Sequence, residues 1–415
     1  MVWSPERRIA FRFGFLVAVL FVFPFPLGAL PWTERLYGLL TTPLEWLTCW
    51  TATHVLGLGE ISTQPTGSGD TTATYVQNLV IAALAAIGTI VWSVLDRKRT
   101  AYPQLAASAV VVLRYYLAFT LLGYAVAKLS QFPPPSPTRL DQRVGDMSPM
   151  GMLWTFMGTS QPYTLFAGIV EGVPGILLLW RRTYVAGALL AAMAMGNVVA
   201  LNFSYDVPVK LFSTQLFLIA VVLLTPHARQ LISALLGSAT PEIPPRPRRA
   251  PSIERARLAA KAMLLSAAAL SLYQQVDQAH AWRRPPRHAL HGIWVVDKYV
   301  TDGVERPPLL TDAERWHKLH LWGRGAAVRP MQGPVVRFEA LLDPARRTIA
   351  AKPAGHLEPW TYTPGAADAE RGAPTTLVID GTFHGRPFHA ELHREPEPLL
   401  VTRGFHWISE VPYNR

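Results

Sequence analysis

The 415-residue chain contains one cysteine, Cys49. A single thiol excludes an internal disulfide, a CxxC redox pair and a four-cysteine zinc or iron–sulfur site, and leaves Cys49 a packing role. Charge is scarce as well. Asp, Glu, Lys and Arg make up 16% of the residues against 50% hydrophobic ones, whereas soluble proteins carry about a quarter charged. No P-loop, G-x-G-x-x-G or G-x-S-x-G elbow occurs. No histidine lies inside an apolar run, since His54 and His227 fall in or beside loops, so a bis-histidine haem within a helix bundle is not expected. No clear A-x-A cleavage site follows the first apolar stretch, which reads as a retained span. There is no internal repeat of solenoid length.

What is present is a series of apolar windows, each close to the ~20 residues that cross a bilayer. They cover 9–30 (with FPFPLG), 75–95, 105–129, 163–180, 184–203 and 209–224, and a weaker seventh covers 258–273. The formal charge of +11 is concentrated beside these windows, at RR 7–8, DRKR 96–99, RR 181–182 and RPRR 246–249. Clusters so placed orient a chain in the membrane and meet anionic lipid head groups; they do not suggest nucleic acid. With Arg7 and Arg8 in the cytoplasm, each basic cluster falls on the cytoplasmic side. Segments 31–74, 130–162 and 204–208 and everything after about 275 then fall outside. The expected organisation is a two-span region 1–104 with outer loop 31–74, a helical core 105–237, a Pro/Arg-rich linker 238–257, a last span 258–275 and an extracytoplasmic domain 285–415.

From about His291 the pattern changes. GIWVVDKYV, WHKLHLW, VVRFEALL, RTIAAK, TTLVID, FHAELH and LLVTR are short runs with partial period-two alternation, and Asp-Gly pairs at 302–303 and 380–381 signal hairpins. About eight strands in this length suit a small antiparallel barrel or sandwich. In FHAELH, His389, Glu391 and His393 share one strand face while Phe388, Ala390 and Leu392 share the other. The histidine face is therefore expected in solvent, and no metal site is expected. WHKLH places His317 and His320 on opposite faces, which is poor geometry for a metal.

Charges within spans are costly and tend to face a bundle interior with a partner. At ~1.5 Å per residue, Arg114 and Glu171 each lie roughly 13 Å from the cytoplasmic ends of adjacent antiparallel windows, which predicts a buried Arg114–Glu171 pair. Nearer the outer surface, Lys128, Asn197, Asn202, Asp206 and Lys210 converge from separate segments. GDMSPMGMLWTFMG supplies Asp146 beside them. Together these residues predict a polar chamber. The alternative is that the pair fixes helix register and the outer charges are solvated.

RYYLAFTLLGYAVAKL followed by FAGIVEGVPGILLLWRRTYVAGALL resembles the DoxX-like family of small four-helix membrane proteins, over roughly 105–237. The resemblance implies that Arg114, Lys128 and Glu171 occupy the family's recurring polar positions. Members have been linked to thiosulfate:quinone oxidoreduction and to membrane-associated oxidative-stress complexes. This chain departs by adding two spans before the core, one after it and the C-terminal β domain, whose Gly292-x-Trp294 is similar to the opening of lipocalin-like barrels. Arg403 and the aromatics of RGFHWISEVPYNR are expected to pack across the barrel floor.

The fold expected is thus a polytopic α-helical protein of the inner (plasma) membrane, with about seven spans and a DoxX-like four-helix core, carrying a C-terminal antiparallel β-barrel or sandwich. The leading functional expectation is binding of a quinone or another lipophilic molecule at the polar chamber, as a quinone-linked subunit beside other membrane redox subunits. Arg114 and Lys128 would hold an anionic or carbonyl oxygen, and Glu171 and Asp206 would balance charge or relay a proton. Two alternatives stay open: a non-enzymatic lipid- or partner-binding scaffold with a membrane-anchored barrel, and a small-molecule transporter. No covalently bound cofactor is expected.

Overall fold

The computed structural model describes residues 2–238, 288–368 and 372–404, with scattered positions within 255–277 and 406–410. The chain divides into two compact units, Met1–Gln131 with Pro162–Ala279, and Phe132–Gln161 with His280–Arg415.

In the first unit the helices are α1 (Pro5–Val22), α2 (Glu34–His54), α3 (Thr72–Leu95) and α4 (Pro103–Gln131). After an interruption come α7 (Gln161–Leu178), α8 (Tyr184–Ser204), α9 (Lys210–Leu224) and α10 (Ala228–Leu235). Local chemistry sets the ends. Ser4 and Thr71 accept backbone N–H bonds from Arg7 and Thr74 at the starts of α1 and α3, the usual work of an N-cap. Pro24 and Pro26 lack an N–H and cannot extend α1 past Val22.

Four helical stretches among the described residues have the length and apolar composition to cross a membrane: Thr72–Leu95, Pro103–Lys128, Tyr184–Ser204 and Lys210–Leu235. Seven were expected. Window 9–30 does not qualify because α1 is only 18 residues long and carries Glu6, Arg7, Arg8 and Arg12. Window 163–180 becomes an 18-residue helix diluted by Gln161, Glu171 and Pro174. The 258–273 window and the 238–257 linker lie largely outside the described residues. The four stretches leave large apolar side chains such as Leu79, Ile87, Ile90, Leu189, Met193 and Leu218 exposed, as lipid-facing surfaces require. The protein is membrane-embedded.

Helix α7 packs along α4 through a glycine seam. A Cβ on Gly168 would stand 3.1 Å from the Ala125 carbonyl oxygen, one on Gly172 3.2 Å from the Ala125 Cβ, and one on Gly175 3.1 Å from the Ala118 oxygen. Small residues at i, i+4 let two backbones approach where lipid offers no hydrophobic drive between helices. The buried core beneath is formed by Leu113, Leu117 and Leu121 of α4, Leu178 of α7, Ala188, Ala191 and Met195 of α8, and Leu216, Ala220 and Leu223 of α9.

The second unit is a closed antiparallel barrel of eight strands among the described residues: β1 (Gly292–Thr301), then β3 (Trp316–Trp322), β4 (Gly325–Pro330), β5 (Val336–Asp343), β6 (Thr348–Lys352), β7 (Glu358–Pro364), β8 (Thr376–Phe383) and β9 (Arg386–Arg394), with β9 returning to pair with β1. The two-residue β2 (Val304–Glu305) is a hairpin on β1. Of the two sheet architectures expected, the barrel is observed; closure removes free strand edges. Its middle is packed solid. Trp316, 1% exposed, has ring centroids 4.6 Å from Phe388, 5.0 Å from Phe383, 5.3 Å from Tyr299 and 5.5 Å from Trp360.

Two short helices, α5 (Pro137–Leu140) and α6 (Pro149–Thr159), belong to this unit. Trp294 is fully buried, as its position after Gly292 suggests, and the guanidinium of Arg394 lies 4.4 Å from its ring centroid. The expectation for the C-terminal aromatics is corrected. Trp407 and Ile408 are 91% and 77% exposed, while 405, 409 and 411–415 lie outside the described residues.

Candidate functional site

The expected Arg114–Glu171 pair does not form. Glu171 pairs with Lys128 instead, Nζ to Oε1 at 3.3 Å. The glycine seam explains the shift. It sets Gly168 beside Lys128 and Gly175 beside Ala118 and Leu122, so α7 ends level with Arg114 and Glu171 lies several turns away. Counting depth inward from window ends assumed flush helices, but α4 has 29 residues and α7 has 18. Glu171 and Arg114 are each only 4% exposed. The Oε2 of Glu171 has no hydrogen-bond partner among the described residues. Arg114 stacks on Tyr115 and Tyr184, at 4.9 and 5.6 Å from their ring centroids.

Asn202, Asp206 and Lys210 do meet at the α8–α9 turn. Asn202 donates to the Ser213 hydroxyl at 3.0 Å and to the Val209 carbonyl at 3.3 Å, and Lys210 Nζ lies 2.7 Å from Asp206. Their organiser is Asp70, which accepts from the backbone N–H groups of Lys210 and Leu211 at 2.8 and 3.0 Å and so caps α9. Asp206 has a positive φ of 50°, a turn conformation that Asp tolerates better than most residues. Asn197 is exposed on α8. Asp146 lies in the barrel unit, also exposed.

A cavity of about 470 Å³ opens in the first unit between the end of α1, α2, α4 and the stretch around Leu272 and Gln275. Its walls are chiefly aromatic: Phe21 and Phe25 from the FPFP region, Tyr37 from α2, and Tyr116, Phe119 and Tyr124 from α4. The α4 residues recur at helical spacing with Thr120, Gly123 and Ala127, one continuous face. Edge-on contacts fix the lining, with Tyr116 5.8 Å from Phe21 and 5.6 Å from Phe25. At Gly123 a Cβ would meet nothing within 4 Å. Lys128 and Glu171 do not line the cavity; their pair lies on the α7-facing side of α4, with Ala125 and Gly168.

The barrel unit holds a separate charged cluster. Asp141, at the end of α5, receives Lys318 Nζ at 2.7 Å on one carboxylate oxygen, and His320 Nε2 at 3.0 Å and Arg329 at 3.1 Å on the other. Lys318 also reaches Glu395 at 2.7 Å. His320 is fully buried. Burial alone would push the Asp141 carboxyl up. Hydrogen bonds from His320 and Lys318, with the charges of Lys318 and Arg329, outweigh burial and hold it down to about 2. Every strong acceptor direction of Asp141 is thus taken, and the cluster fastens segment 132–161 to the barrel wall.

No family model matches the chain, and no solved structure does. Over 113 residues the chain is 34% identical to "Uncharacterized protein YwoB" of Bacillus subtilis (strain 168), a stretch covering 27% of this chain and 71% of YwoB. The chain belongs to the YwoB family. The name of YwoB carries no activity across, and most of this family member has no counterpart in the matched stretch. Within the YwoB-family chain, sequence reasoning missed Asp70 and Asp141. Asp70 sits in a loop of short polar residues and Asp141 at the end of a four-residue helix, and their partners lie 140 and 177 positions away. The aromatic cavity was legible in part: FPFP and RYYLAFTLLGY are visible runs, but only the packing of α1 beside α4 makes them one surface.

Proposed function

We propose that the helical unit binds a lipophilic carbonyl compound of the quinone class in the aromatic cavity and serves as a subunit of a membrane redox assembly. The observation that carries this reading is the aromatic-walled cavity of about 470 Å³, on a helix whose other face carries the buried Lys128–Glu171 pair. Flat aromatic walls accept a flat ring by stacking, and ligand sites combine apolar walls with few polar groups. The hydroxyls of Tyr37, Tyr116, Tyr124 and Thr120 in the lining supply donors and acceptors for a carbonyl or hydroxyl of such a ligand. A quinone so held would carry electrons and protons between membrane partners. The DoxX-like pattern of RYYLAFTLLGYAVAKL supports the same reading, now with Lys128 and Glu171 as the polar pair.

The barrel serves as a packed extracytoplasmic domain rather than a second ligand calyx, because Trp316, Trp360 and Phe388 fill its middle. Placement outside the cytoplasm, in a plasma membrane, rests on the positive-inside distribution of basic residues. It is supported by segment 132–161 and the barrel sharing one compact unit, since both must then lie on one side of the bilayer.

The test is solvent extraction of gently purified protein followed by mass spectrometry. Wild type should yield a quinone near one per chain. Gly123→Phe should fill the cavity and abolish it, and Tyr124→Phe should reduce it by about tenfold, the effect of one lost polar contact of about 1.4 kcal/mol. An extract with no quinone from wild type, or equal occupancy in folded Gly123→Phe, would overturn the reading.

A further inference from the structure

At the end of the helical unit where α7 turns into α8, cations gather around Arg114. Arg181 and Arg182 occupy the turn, Lys261 Nζ lies 3.0 Å from the Leu179 carbonyl oxygen, and His227 bonds the Tyr184 hydroxyl. Arg114 is 4% exposed and its Nε has no hydrogen-bond partner among the described residues. It makes no ion pair with a carboxylate among the described residues. A guanidinium so buried is costly without an anion. The two tyrosine faces offset only part of that cost, at about 1 or 2 kcal/mol each.

The backbone adds to the same field. Tyr184, on which Arg114 stacks, is the first residue of the 21-residue α8. The preceding Thr183 makes no side-chain cap to that helix; its hydroxyl donates to the Leu177 carbonyl oxygen at 2.7 Å. Among the described residues the first-turn amides of α8 have no side-chain acceptor. Orphan N–H groups and the positive end of the helix dipole make such a terminus receptive to anions. The unpaired Arg114 is the independent sign that one is meant to be there. Fork-shaped guanidinium donors and backbone N–H groups together match phosphate oxygens.

We infer that Arg114 and the N-terminus of α8 form a binding site for a phosphate group, presented by an anionic phospholipid head group or as free phosphate. Tyr184, His227 and Lys261 border it. It is separate from the aromatic cavity, which lies toward the Lys128 end of α4. Its tests do not depend on quinone occupancy.

Purified full-length protein would be placed in nanodiscs of phosphatidylglycerol or of phosphatidylcholine and released for native mass spectrometry. Thermal unfolding in detergent would be followed with each lipid and with inorganic phosphate. Wild type should retain phosphatidylglycerol in preference to phosphatidylcholine, and its Tm should rise with the anionic lipid, as binding to the folded state demands. In Arg114→Gln the affinity should fall by about tenfold or more, while Arg337→Gln, exposed on β5 of the barrel, should stay within about threefold of wild type. A Tm rise with inorganic phosphate that Arg114→Gln lacks, without lipid preference, supports the site with free phosphate as its occupant. The inference is overturned if wild type shows neither lipid selectivity nor a phosphate effect, a result that needs no variant. It is equally overturned if folded Arg114→Gln matches wild type in both.

Discussion

Among single residues, Asp141 has the most depending on it. Its carboxylate meets three basic side chains, two of them on β3 and one on β4. Replacing Asp141 by Asn leaves Lys318 and Arg329 close together with less counter-charge. Breaking a largely buried pair from one side costs about 3 kcal/mol. The loss should be local, so amide hydrogen exchange across 132–161 should accelerate far more than exchange in β7 and β8; uniform acceleration would show that Asp141 supports the whole barrel instead. The pH dependence has a definite sign. The folded-state carboxyl lies near 2, below its ordinary 3.8. Its contribution of about 2 kcal/mol is therefore complete above pH 4 and is lost as pH falls through about 2. Acid titration of the exchange rate in 132–161 should show that transition in wild type and lack it in Asp141→Asn. None of this was visible in sequence, because an aspartate in LDQR looks like any solvated loop acid.

Between elements, the seam between α4 and α7 decides which charges meet. Gly168 faces the Ala125 carbonyl oxygen at a hypothetical Cβ distance of 3.1 Å, whereas Gly123 faces open space. Gly168→Val must therefore push the two helices apart, at a cost of about 2 kcal/mol for overpacking. Gly123→Phe should leave the fold intact. Thermal unfolding in detergent should lower Tm for the first and not for the second; a comparable drop in both would mean that helix propensity, not contact, governs these positions. The seam also marks where sequence reading stops. Apolar windows located most of the helices, and alternation in FHAELH correctly put Phe388, Ala390 and Leu392 inside and His389 and His393 outside. Helix offset is set by contacts such as Gly175 with Ala118, and no window length encodes it. Hence Glu171 met Lys128 rather than Arg114.

Across the whole molecule, the division into units differs from the linear reading in one informative place. Segment 132–161 reads as an outer loop of the helical core, yet it folds with residues more than 100 positions later. The register of WHKLHLW explains why this was hidden. A bulge between Trp316 and Lys318 turns Lys318 and His320 toward Asp141, and bulges leave no reliable mark in a strand pattern. Joining these segments also constrains topology: whichever side receives 132–161 receives the barrel. Cys49 is the sole cysteine, so Cys49→Ser gives a background for single reporters. In spheroplasts, an impermeant maleimide should label Val144→Cys and Glu339→Cys alike, both being exposed. Arg182→Cys, in the turn before α8, should react only after the membrane is opened. Labelling of Val144→Cys and Glu339→Cys from opposite sides would break the compact unit. Protection of both would invert the orientation and, with it, place the α8 N-terminus and Arg114 at the outer leaflet.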